Sequence, residues 1–172
     1  YQASVPLGAP VAKTPQPRNF IDNLVFDKLK RVGMPPSAVS DDATFIRRVS
    51  IDIAGRLPTD AESEAFLKST DPGKRDKLID RLLASTDYAD YFANKWGALL
   101  RNKRTNTAAM RGNYAFHGWI RDSIHKNMKY DEFTRNVLAA SGDMAQNPGA
   151  FWYREVKTMQ TQMEDSAQLF LG

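Results

Sequence analysis

The 172-residue chain predicts an all-α fold: about eight short-to-medium amphipathic helices in an antiparallel, bundle-like single domain. Three observations point there. Apolar residues recur three and four positions apart in segment after segment. Those segments open on Asn, Asp, Ser or Thr and stop at Gly, as helices do. Strict period-two alternation is nowhere long enough for a sheet, and no internal repeat recurs at a fixed period. The connections left between the helices are short, which favours antiparallel neighbours.

The elements follow in order. Residues 1–18 hold four prolines and little apolar periodicity, so they read as a flexible N-terminal arm or linker. Asn19 is placed to cap a helix over 20–32, with Gly33 as its stop and Pro35-Pro36 behind it. A helix over 41–54 puts Phe45, Ile46, Val49 and Ile53 on one face and ends at Gly55. Thr59 and Glu62 form a T-x-x-E capping box for a short helix to position 69. Asp71-Pro72 reads as an N-cap with proline at the first helical position, followed by Leu78, Ile79, Leu82 and Leu83 at helical spacing. Ser85 opens a longer helix whose Tyr88, Phe92, Trp96, Leu99 and Leu100 are expected inside.

A polar stretch, 102–112, divides the helical domain 19–172 into possible sub-bundles, 19–101 and 113–171. A helix over 113–126 turns Phe116, Ile120 and Ile124 inward, and one over 131–141, stopped by Gly142, carries Phe133, Val137 and Leu138. Residues 143–157 read as a loop with a Pro148-Gly149 turn. The last helix is expected over 158–171, with Met159, Met163, Ala167 and Phe170 one above another on its apolar side. Leu82, Leu83, Trp96, Leu99, Ile120, Phe133 and Leu138 are the expected core.

Composition narrows the functional classes. The chain is 42% hydrophobic and 26% charged, so it can bury a core and is not a disordered chain. No apolar run approaches the roughly 20 residues a membrane span needs. With no cysteine there is no disulfide, thiolate metal site, cysteine nucleophile or covalent haem attachment here. The net charge of +4 is spread among interspersed charges of both signs, which describes a solvated surface better than a nucleic-acid footprint.

The candidate chemistry is sparse. His117 and His125 lie eight positions apart on one predicted helix, about 12 Å along its axis, too far to share a metal ion. His125 suits a helix C-terminus, and His117, between Phe116 and Trp119, suits a partly buried hydrogen-bonded histidine or a ligand contact. Arg47, Arg48, Asp52 and Arg56 form the most suggestive charged group, explained without function by an intrahelical ion-pair ladder. The basic run Arg101, Lys103, Arg104 and Arg111 could meet phosphates, but helix-dipole and loop readings account for it better. Phe151-Trp152-Tyr153 on a loop must dock on something, whether its own domain or a partner. Neither a P-loop, nor G-x-G-x-x-G, nor G-x-S-x-G occurs.

The order of motifs carries one resemblance. NFIDNLVFDKLKRVGMPPS, DDATFIRRVSIDIAGRLPTDAESEAFL, DKLIDRLLASTDYADYFANKWGALLR, NYAFHGWIRDSIHKNMKYDEFTRNVLAASG and AQLFLG together span 19–172. In this order they resemble the planctomycete cytochrome-associated domain of unknown function, the second of the two so named. The resemblance implies a large exported or cell-envelope protein and adjacent domains of the same polypeptide as partners. It also implies a C-x-x-C-H-type motif after L-F-L-G, so that c-type haem belongs downstream and no cofactor belongs to this chain. It supplies no catalytic residues.

Two functions are therefore expected, ahead of a third reading as a peptide- or nucleic-acid-binding module using the basic segment 101–111. The first is a non-catalytic helical module that scaffolds or docks an adjacent redox or substrate domain. The second is part of an enzyme acting on complex carbohydrate, with a cleft near Arg47, Arg48, Asp52, Arg56 and His117. Candidate partner or ligand contacts are those five with Trp152 and Tyr153. The final helix, ending on Leu-Phe-Leu-Gly, is expected to leave part of its apolar side exposed and to lead into a further packed element.

Overall fold

The computed structural model describes residues 11, 13–103 and 110–171, all α-helix, tighter or wider helical turns, and connecting loop, with no strand. The expected arm at 1–18 lies outside these residues at 1–10 and 12, as does Arg104 of the basic run. No described helix is long and apolar enough to cross a membrane.

The chain divides into two compact units, 1–41 and 42–172. The first carries α1 (Phe20–Val32). Asn19 caps it as expected, its side-chain oxygen accepting from the amides of Ile21 and Asp22. Gly33 closes it at φ 68°, donating to the Lys30 carbonyl while Met34 donates to Leu29. That pair of bonds is the Schellman motif, and the left-handed residue it needs is glycine's natural position.

The second unit begins with α2 (Asp42–Ala54), α3 (Asp60–Lys68) and α4 (Lys74–Leu83). Ile46, Ala54, Phe66, Leu78 and Leu82 form their shared core, with Phe45, Val49 and Ile53 packed against it. The capping box is present in both halves: Thr59 Oγ1 accepts from Glu62 N, and Glu62 Oε2 from Thr59 N. The start of α4 differs from expectation. Asp71 accepts from Gly73 N in a turn one step upstream, and the helix starts at Lys74, after the glycine. Leu83 is a second correction, at 46% exposed. The inward stripe runs Leu78–Leu82, and Leu83 is turned about 100° from it.

α5 (Thr86–Leu99) and α6 (Met110–His125) are the most closely packed helices of the unit. Ser85 caps α5 through Tyr88 N. The deep face of α5 is not the expected aromatic one. Ala89, Ala93, Gly97 and Leu100 are buried, Tyr88, Phe92 and Trp96 flank them, and Leu99 is 53% exposed. Small residues at four-residue spacing let α6 approach closely, and the larger rings fill the grooves on either side. α6 starts three residues earlier than expected, and α7 (Tyr130–Leu138) ends three residues earlier.

The expected loop contains a 3-10 helix, Pro148–Arg154. α8 (Met159–Ser166) then passes into a π-helical turn, Ala167–Leu171, where a continuous α-helix is expected. The core of this half is aromatic: Phe116, Phe133, Phe151 and Trp152 with Ile120, Val137 and Val156. Trp96 and Leu138, expected inside, pack against it only partly buried.

Candidate functional site

Gly55 ends α2 at φ 68°, and a Cβ there would lie 2.2 Å from the Tyr91 ring. Arg56 follows. Its Nη1 and Nη2 donate to Glu62 at 2.9 and 3.0 Å, its Nε donates to Asp87 at 2.6 Å, and Nη1 also reaches the Leu57 carbonyl. One guanidinium therefore ties the end of α2 to the starts of α3 and α5. Its planar fork matches the Glu62 carboxylate at two points. Those bonds and the capping-box amide hold the Glu62 carboxyl down at about 2 and push the Arg56 guanidinium still further up. The side chain is spent on architecture.

Arg47, Arg48 and Asp52 are exposed on α2, and no ion pair joins Arg48 to Asp52 among the described residues. The expected ladder is thus absent. The order is the unfavourable one, with the cation N-terminal to the anion, and Arg56 lies beyond the helix with carboxylates elsewhere. A second joint does form at the other end of α2, where Asp42 takes Lys74 and Arg75 at 2.6 Å each. Both cations hold the Asp42 carboxyl below its usual range.

Phe151 and Trp152 are buried and Tyr153 is half-buried, its hydroxyl donating to the Leu138 carbonyl at 2.5 Å. The aromatic loop thus folds onto its own domain. Gly112 makes this possible, since a Cβ there would lie 2.6 Å from the Phe151 ring. His117 is half-buried on α6, with Nδ1 enclosed and no hydrogen-bond partner; His125 is exposed. Arg47, Arg48, Asp52 and Arg56 follow α2, whereas His117 rides on α6. None of these five lines the larger clefts, of about 440 Å³ each, which flank Trp119 and Pro148. Trp119 lines both clefts, and Phe116 and Phe133 stack against its ring at 5.9 and 5.0 Å.

The residues that sequence reasoning missed lie around α8. This helix is packed polar side inward: Asp165 is buried and Thr161, Gln162 and Ser166 are half-buried, while Met159 and Met163 are 77% and 68% exposed. The expectation that part of this helix's apolar side is left exposed holds at Met159, Met163 and Ala167. Of that stripe only Phe170 turns in, stacking on Trp96 at 6.5 Å, with Leu169 beside it on the core.

Asp165 meets Arg101, whose Nη2 donates to Oδ1 at 2.7 Å. Arg101 occupies the left-handed position (φ 55°) of a Schellman motif: Arg101 N donates to Ala98 O and Asn102 N to Gly97 O. Holding a non-glycine there costs about 1–2 kcal/mol. The side chain of the next residue, Asn102, donates to the Asn113 main-chain carbonyl of α6 and accepts from the Asn113 side-chain amide. The end of α5 thus grips α6 and α8 through consecutive polar side chains. Satisfaction is incomplete, because Asp165 Oδ2, Asn113 Oδ1 and Trp152 Nε1 are enclosed without a partner among the described residues. Each such group costs about 1–3 kcal/mol. The polar stripe 161, 162, 165, 166 is visible in the sequence, but no local signal marks it as the side that packs.

Covalent c-type haem finds no attachment residue, since the chain holds no cysteine. No curated protein and no solved structure matches the chain. The family whose sequence model does match, over residues 20–170, is PSCyt2, a protein of unknown function (DUF1549). The match takes in α1 through α8, and the chain belongs to that family.

Proposed function

We propose that this chain is a non-catalytic helical module that docks an adjacent domain of the same polypeptide, with the outer side of α8 as its contact surface. The observation that carries the reading is the inversion of α8. A helix that buries Asp165 and leaves Met159 and Met163 in solvent, with Leu171 at 83% exposure on the following turn, has its apolar side facing away from its own core. Methionine is well suited to such a surface, being flexible and polarisable enough to follow a partner's relief. The resemblance to the cytochrome-associated domain supports the choice of occupant, and with it an exported, multidomain protein whose redox chemistry lies in a neighbouring domain. The charged joints at Arg56 and Asp42 support a module built for rigidity.

Methionine oxidation tests this directly. In the polypeptide as its organism makes it, Met159 and Met163 should oxidise at least about fivefold more slowly than the exposed reference Met34. Equal rates at all three would leave the docking surface without an occupant and overturn the reading.

A further inference from the structure

α8 is attached to its domain by few interactions. Its methionine side is in solvent, and Gln162 donates only to the nearby Val156 carbonyl. Beyond that, the segment is seated through the Arg101–Asp165 ion pair and through Leu169 and Phe170 against the aromatic core. The ion pair itself is incompletely compensated: Asp165 is 5% exposed, and among the described residues only one of its oxygens has a donor. Breaking a pair that is buried on one side leaves an uncompensated carboxylate, so the contact behaves as on or off rather than yielding gradually. Elements with little apolar burial and short local connections open independently of the rest of a domain. A π-helical turn, Ala167–Leu171, interrupts the regular ladder directly after α8.

We infer that residues 159–171 form a strap that opens as a unit, latched by Arg101 on Asp165. Opening lifts Phe170 from Trp96 and uncovers the aromatic surface around Trp96, Tyr130 and Phe133, beside which a cleft of about 100 Å³ already exists. The inference rests on the docking reading for its purpose: the strap carries the contact surface, and the latch sets whether that surface is presented against the domain or swung away from it. The mechanics of the latch are independent of any partner.

Native-state hydrogen exchange on the purified 172-residue chain decides it. The amides of 163–166 should exchange at least a hundredfold faster than those of 117–120 in α6. Asp165→Asn should accelerate the strap amides a further tenfold or more and leave the α6 amides unchanged, and Arg101→Gln should do the same. Strap amides that exchange at the α6 rate would overturn the strap. Variants that leave strap exchange unchanged would overturn the latch, as would variants that accelerate α6 equally, because the pair would then be an ordinary part of the core. None of these outcomes depends on methionine protection by a neighbour, so the strap and the docking surface can fail separately.

Discussion

Helices α2–α4 and the part of the chain from α5 onward solve the same packing problem with different materials. The first has a small core of one aromatic ring and a few aliphatic side chains, and its helix ends are joined by guanidinium and ammonium groups gripping carboxylates. The second relies on interlocking rings, with Trp119 between Phe116 and Phe133 and Trp96 between Phe133 and Phe170, and needs glycine at 112 to admit Phe151. The difference teaches where each half is vulnerable. Ionic joints between partly exposed groups are worth little individually and respond to pH. Ring packing is worth much and responds to volume.

The largest effect should come from the aromatic half. Phe151→Ala removes a fully buried ring and should cost about 3–5 kcal/mol in urea unfolding. In the ionic half, Leu82→Ala should cost about 2–4 kcal/mol. Leu83→Ala, one position on but half in solvent, should cost under about 1 kcal/mol. If Leu82→Ala proved costlier than Phe151→Ala, the contrast between the halves would not stand.

Glu62→Gln comes next, at about 1 kcal/mol near neutral pH once solvent screening is allowed for. Its pH dependence is the sharper test. The folded carboxyl titrates at about 2 against 4.5 for the free group, so its stabilisation is present above about pH 4.5 and is lost as pH falls towards 2. Parent and variant should therefore differ at pH 7 and converge near pH 2; a constant difference across that range would refute the ionic account of this joint. The smallest effect belongs to Lys68→Ala, which breaks an exposed i,i+4 pair with Glu64 and should shift stability by no more than about 0.5 kcal/mol.

Much of the fold was readable because the signals were local. Asn19, Gly33, Gly55, Ser85 and the Thr59–Glu62 box are single-turn hydrogen-bonding devices, and each stands where the pattern placed it. Boundaries moved at the starts of α4 and α6 and at the end of α7, where neither Asp71-Pro72 nor Gly142 proved to be the cap. The candidate site was much less legible. Arg47, Arg48, Asp52 and Arg56 are adjacent in sequence, but only Arg56 finds carboxylates, six and thirty-one positions away. The pairing of Asp165 with Arg101 was not legible, because the two residues are sixty-four positions apart.

The sequence by itself determined the helical class, the order of the α-helices among the described residues and most of their caps, since these depend on spacing and hydrogen bonds within a turn or two. Tertiary structure alone decided which face of each helix is inside. α5 packs through its alanines because α6 must come close, and α8 turns its methionines outward because Arg101, held left-handed at the end of α5, draws Asp165 inward. Periodicity shows that a helix has two sides; the side that is buried depends on what the rest of the chain places against it.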